Sequence, residues 1–226
     1  MRLRREGELW VKRASSPRTF DQEVRGLTEW RCGRMPVLVD ADPTTLELRT
    51  EELVGGAFPS LEVEAWREAG AWRRAFAQEA DEDELPLSAA LQERLRSWSR
   101  KARLEAEELQ ALLGLWSGDH EGVRRVRCHR DYQPRNWLWN EGIAVLDFEH
   151  AAPDHPLMDV VKVLDHLDPH EERFHAFLGA PLSHREQLQL RDLRILHALG
   201  CLGWGRGHPD PVYVQLGRRV MSTLQR

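Results

Sequence analysis

The chain of 226 residues has no uninterrupted apolar run long enough to cross a bilayer, which excludes a membrane-spanning helix. Its charged start, Met1-Arg-Leu-Arg-Arg-Glu-Gly-Glu8, runs into no apolar stretch of the kind a secretory leader carries, so a cytoplasmic location without a membrane partner is expected. Cysteine is scarce: Cys32, Cys128 and Cys201 lie far apart with no C-x-x-C pair, which excludes a disulfide framework and a zinc knuckle and predicts buried, reduced thiols. Histidine is plentiful, but His150, His155, His166, His170 and His175 form no H-E-x-x-H or other ligand spacing and read as structural or surface residues. A basic stripe is also missing. The net charge is -5 with both signs mixed along the chain, so nucleic acid is excluded as the main partner.

What remains is an ordinary globular composition, 41% hydrophobic and 31% charged, without repeats or Gly/Ser-rich tracts. Leu9 to Arg13 reads as a strand, and Thr19 with Gln22 forms a T-x-x-Q capping box that predicts a helix starting at Thr19 and carrying Glu23, Leu27 and Trp30. Val37 to Val39 and Leu46 to Leu48 read as two strands around the turn Asp40 to Thr44. Gly55-Gly56 and Pro59 mark a linker. After it, Leu61, Ala65, Ala69, Trp72 and Phe76 recur at helical spacing, and an acidic break at Asp81 to Glu84 precedes more helix from Ser88 to Trp116. Trp66, Trp72, Trp98 and Trp116 belong to the core on this reading. Val123 to Val126 reads as a strand, Trp137 to Leu146 as a hairpin, and helices resume near Leu157 and after the S-x-x-E box of Ser183 and Glu186. The expected fold is α+β in two lobes: a small sheet with one helix over 1–54 and a mainly helical lobe over 55–226.

Between those strands lies His129-Arg130-Asp131-Tyr132-Gln133-Pro134-Arg135-Asn136, followed across the hairpin by Asp147-Phe148-Glu149. The order and spacing match the H-R-D-x-x-x-x-N catalytic loop and the later metal-binding aspartate of kinases. Transfer of a γ-phosphoryl group needs one carboxylate at the attacking hydroxyl and further oxygen ligands that hold Mg²⁺ against the phosphates. Asp131, Asn136 and Asp147 are residues of those types.

The stretch from His129 to Asp159 resembles the aminoglycoside phosphotransferase and choline-kinase-like family, which has a protein-kinase-like fold. The run Pro134 to Leu138 resembles its viomycin/capreomycin-type antibiotic phosphotransferase branch. The resemblance implies ATP and Mg²⁺ as cofactors and a small-molecule hydroxyl as acceptor. It makes Asp131 the catalytic base, His129 a brace of the loop, Asn136 and Asp147 metal ligands, and Asp159 a support behind the loop. It extends to Lys12 as a phosphate contact paired with Glu23, and to a hinge over Leu48 to Leu53, with Glu51 and Leu53 offering backbone groups to adenine. Arg130 stands where many small-molecule members have glycine. Glu149 replaces the glycine of a protein-kinase D-F-G, which argues against a protein acceptor. No glycine-rich loop precedes Lys12, so the first lobe reads as shortened, either naturally or because the true start lies upstream. The net charge and the acidic residues Asp165, Asp168, Glu171 and Glu172 suggest a cationic acceptor such as a basic antibiotic. The competing reading is a kinase-like pseudoenzyme kept as a binding or regulatory module.

Overall fold

The computed structural model describes residues 2–80 and 85–224; the expected acidic break, Asp81 to Glu84, lies outside them. The first part of the chain forms β1 (Arg2–Glu6), β2 (Leu9–Arg13), α1 (Pro17–Thr28), β3 (Leu38–Asp42) and β4 (Glu47–Glu51). The strands make one antiparallel sheet in the order β1-β2-β4-β3. The rest contributes β5 (Gly56–Ala57), α2 (Val63–Phe76), α3 (Leu87–Ala102), α4 (Ala106–Leu113), β6 (Val126–Cys128), β7 (Trp137–Trp139), β8 (Ile143–Val145) and β9 (Ala152–Asp154). Helices α5 (Met158–Val163), α6 (Glu172–Leu178), α7 (His184–Gly207) and α8 (Pro211–Leu224) complete it. The architecture is α+β, with the sheet-rich part and the helical part meeting at the hairpin β7–β8.

Helix α1 begins earlier than its sequence suggests. Ser16 is the cap: its Oγ accepts the Thr19 N–H at 3.2 Å, and Thr19 Oγ1 accepts the Ser16 N–H at 3.1 Å. Pro17 therefore opens the helix, where its missing N–H is one of those that no intrahelical acceptor would have met and its fixed φ is already helical. The helix stops at Thr28, so Trp30 reaches the core from the following loop.

Ala65, Ala69, Trp72 and Phe76 of α2 are buried as their spacing predicts, but Leu61 precedes the helix and is 84% exposed. Trp66 and Trp72 are buried, while Trp98 and Trp116 are partly buried and packed on the core. The hairpin pairs Trp137 with Val145 and Trp139 with Ile143. The strand expected at Val123 to Val126 lies instead at Val126–Cys128, because its register is set by a partner remote in sequence: Val126 faces Asp154 and Cys128 faces Ala152 of β9. Ser183 and Glu186 cap α7 as expected. All three cysteines are free, Cys128 and Cys201 buried and Cys32 partly so. No helix among the described residues is long and apolar enough to cross a membrane.

The core joins Trp66, Tyr132, Trp137, Phe76, Phe148 and Phe177, each contributing roughly 1.5–3 kcal/mol by burial. One close approach in it matters for chemistry. A Cβ on Gly26 of α1 would lie 2.8 Å from the Phe148 Cβ, so the lack of a side chain there lets α1 rest on the segment after β8. Glu23, one turn earlier on α1, is thereby brought beside Asp147.

Candidate active site

The loop from His129 to Asn136 connects β6 to β7 and is held from behind by one buried carboxylate. Asp159 of α5 accepts the His129 N–H at 2.9 Å and the Arg130 N–H at 2.6 Å. Arg130 adopts a left-handed φ of 65°, the conformation that favours glycine, and its guanidinium forms an ion pair at 3.1 Å with the fully buried Asp154. Arg94 of α3 pairs with the same Asp154 oxygen at 3.1 Å. The His129 ring lies 2.8 Å from the Leu146 carbonyl through Nε2, and its Nδ1 accepts the Asp131 N–H at 3.3 Å. A carbonyl only accepts, so Nε2 carries the proton, and burial keeps the ring's pKa below its ordinary value and the ring neutral.

This frame aims Asp131. Its carboxylate accepts from Gln133 Nε2 at 2.5 Å, Arg135 at 2.9 Å and Asn136 Nδ2 at 2.9 Å, with Lys162 of α5 at 3.5 Å. Burial alone would raise its pKa; Lys162, Arg135 and Asn136 outweigh burial and hold it at about 2. Asn136 also donates to the Asp131 carbonyl at 2.8 Å, so both of its bonds to Asp131 use the amide nitrogen.

The second cluster follows β8. Leu146 donates its N–H to the Asn136 carbonyl at 2.9 Å and offers its own carbonyl to His129, so the next residue, Asp147, starts from the frame that holds the loop. Asp147 has a left-handed φ of 68°. Its carboxylate contacts Lys12 of β2, which also contacts Glu23 of α1 and lies 3.4 Å from Glu149. Lys12 and Glu23 side chains are only 11% and 7% exposed, which makes their electrostatics strong. Burial would lower the Lys12 pKa, but Glu23 and then Asp147 hold it above its ordinary value. Burial pushes the Glu23 carboxyl up to about 7; Lys12 pulls against that, and Asp147 and Glu149 add to it. Glu23, Asp147 and Glu149 present oxygens within 4.8 Å of one another. They are hard oxygen donors of the type Mg²⁺ takes, grouped around the ammonium of Lys12.

Beside Asp131 opens a cavity of about 990 Å³, walled by α1, the end of α3, the catalytic-type loop, α5 and α7. Asp131, Arg130, Arg135 and Lys162 are among its lining residues.

Of the residues singled out from sequence, the structure brings Lys12, Glu23 and Asp147 into contact, and His129, Asp131 and Asn136 into the adjoining loop. Glu51 ends β4 with its N–H donated to Val37 at 3.0 Å, and Leu53 follows it half-buried; neither touches the Lys12 cluster. Asp165, Asp168, Glu171 and Glu172 do not line the cavity: Asp165 is paired with His197 at 2.9 Å, and Asp168 and Glu171 bond within an exposed turn. Sequence reasoning missed Gln133, Arg135 and Lys162 as holders of Asp131. Lys162 carried a signal, since it sits three residues after Asp159 on the same helical face.

The family model of the phosphotransferase enzyme family (APH) matches residues 40–198, most of the chain and both clusters apart from Lys12 and Glu23. The chain belongs to that family. Solved structures give the same fold for this phosphotransferase. A choline/ethanolamine kinase family protein from Mesorhizobium loti is 18% identical with a TM-score of 0.68, over 99% of this chain and 83% of that one. The choline kinase LicA from Streptococcus pneumoniae is 13% identical with a TM-score of 0.65, over 98% and 89%. The GDP and kanamycin complex of APH(2")-IIia is 14% identical with a TM-score of 0.68, over 97% and 87%. The two-lobed kinase-like fold is thus established. No curated protein sequence matches the chain.

Proposed function

We propose that this phosphotransferase moves the γ-phosphoryl group of ATP to a hydroxyl of a small molecule. Asp131 faces the attacking hydroxyl, Lys12 binds phosphate oxygens with Glu23 as its partner, Asp147 and Asn136 hold Mg²⁺, and His129 braces the loop. The observation that carries the reading is the joining of the two clusters through Leu146, which bonds to both His129 and Asn136 directly before Asp147. The Asn136 amide nitrogen is spent on Asp131, which leaves its oxygen as the end suited to a cation. Nucleotide complexes of fold neighbours, with GDP for APH(2")-IIia and AMP for LicA, support a nucleotide as donor.

Mg²⁺, when bound, neutralises charge on the phosphates during transfer. The chain's own residues do the rest. Lys12 exchanges a carboxylate contact for a phosphate oxygen. Asp131, ionised at neutral pH, is a weak base at about 2, so it orients the hydroxyl and receives its proton late, as the bond to phosphorus forms. We place the lobe boundary at residues 54–55, supported by the pairing of β5 with β7 directly after it.

A second reading, a cationic antibiotic as acceptor, draws on the run Pro134 to Leu138 and on the kanamycin and hygromycin B complexes of fold neighbours. The charge around the cavity opposes it. The deciding measurement for phosphotransfer is Mg²⁺-dependent ATP binding together with ADP release on adding hydroxylated acceptors. Binding without release across a broad panel would make the chain a nucleotide-binding module, and loss of both would end the proposal.

A further inference from the structure

The cavity beside Asp131 has an unbalanced wall. Nine arginine and lysine side chains line it against one carboxylate, that of Asp131. Four of the nine, Arg18, Arg100, Lys101 and Arg103, are exposed and make no side-chain hydrogen bond or ion pair among the described residues. The other five do not cancel locally either: Arg135 and Lys162 share Asp131, Arg94 and Arg130 share Asp154, and Arg206 bonds the uncharged backbone carbonyls of Ala102 and Arg103. Basic residues in the last turn of a helix answer its dipole, which accounts for Arg100 and Lys101 on α3 taken alone. It does not account for Arg18, which stands in the first turn of α1, where the dipole disfavours a cation. Nor does it explain why residues of α1, α3, the loop and α7 converge on one space. In a chain of net charge -5, such a concentration of positive charge marks a place where negative charge is received.

We infer that the phosphate acceptor is an anion: a small molecule carrying a hydroxyl together with a carboxylate or phosphate group. Arg18, Arg100, Lys101 and Arg103 hold the anionic group while the hydroxyl lies at Asp131. This rests on the phosphotransfer reading of Asp131 and narrows its acceptor. In the step, the acceptor oxygen bonds to the γ-phosphorus and the bond from that phosphorus to the β–γ bridging oxygen breaks. The bridging oxygen leaves with the electron pair on ADP, and the hydroxyl proton passes to Asp131. Choline or an aminoglycoside would meet a wall of its own sign.

The test uses the full chain with Mg²⁺-ATP and matched probes: gluconate and glycerol 3-phosphate, their neutral counterparts glucose and glycerol, and the cations choline and kanamycin. Calorimetry measures binding of each, and ADP release measures turnover. The expected result is that one of the anions binds at least about tenfold more tightly than its neutral counterpart and weakens as salt rises from about 0.05 to 0.3 M. The exposed double variant R18E/R100E, its folding checked by thermal unfolding, is expected to lose that affinity by about tenfold or more. Anion binding with no ADP release from any acceptor would uphold the anionic site and sink the phosphotransfer reading. Preference for choline or kanamycin, equal binding of charged and neutral probes, or no binding of either anion would overturn the inference, whatever ADP release shows.

Discussion

Lys12 and Asp147 stand 135 residues apart in the chain and in contact in the fold. One comes from the second strand of the small sheet, the other from the segment after the hairpin, so their meeting fixes the sheet-rich lobe against the helical one. The contact is crowded, because Glu23 and Glu149 surround the same ammonium. Three carboxylates around one cation repel each other, and the proposed Mg²⁺ would relieve that repulsion.

Asp131→Ala is expected to lower kcat by about 10²- to 10⁴-fold, the worth of a positioned general base, while Mg²⁺-ATP still binds. Asp147→Ala should instead remove the Mg²⁺-dependent part of nucleotide binding. Steady-state kinetics and calorimetric titration with and without Mg²⁺ separate the two; a pair of variants that behaves alike would refute the division of roles.

Lys12→Ala leaves buried Glu23 beside Asp147 and Glu149 without a cation. Removing one partner of a buried ion pair costs about 3–5 kcal/mol, which for a chain of this size lowers Tm by roughly 2–4 °C per kcal/mol. The loss should be larger in EDTA than in Mg²⁺, because a metal ion replaces part of the missing charge. Thermal unfolding in the two buffers reads this directly, and equal loss in both would argue against a metal at these carboxylates.

Gly26→Ala should cost about 1–3 kcal/mol through overpacking against Phe148, and should reduce activity as well by shifting Asp147 away from Glu23. Gly207→Ala, where an added Cβ meets nothing within 4 Å, is the control, with little change in Tm. A Gly26→Ala protein with unaltered stability and kinetics would show that the close approach has no consequence.

His197 supplies a pH dependence. Burial would lower its pKa, but the hydrogen bond with Asp165, assisted by Cys201, raises it to about 9. A raised folded value means the stabilisation is full below the unfolded value of about 6.5 and is lost as pH climbs from there through about 9. Unfolding free energy of the native chain should fall over that window, and His197→Gln should flatten the fall. A variant with the same slope would assign it elsewhere.

Local patterns were legible from residue order alone. The hairpin Trp137 to Val145 and the Ser183 cap need only neighbours in sequence, and the polar loop between β6 and β7 carries its own spacing. The start of α1 was displaced because Pro17 reads equally as a breaker and as a first helical residue, and only the Ser16–Thr19 bonds decide between them. The β6–β9 ladder was hidden by its length of three residues, its remote pairing and Pro153 within it. Charge misled most. Asp165 and Glu171 look available in sequence, but His197 and Arg173 occupy them, while the cations that wall the cavity come from helices far apart in the chain.

Arg130 carries a consequence for descent. A side chain at its left-handed φ costs about 1–2 kcal/mol, which glycine would avoid, yet glycine would leave Asp154 with Arg94 as its one remaining ionic partner among the described residues. Neither change is neutral by itself, so positions 94, 130 and 154 are bound to mutate in concert. Relatives with glycine at 130 should carry an uncharged residue at 154, and those with arginine there should carry the aspartate.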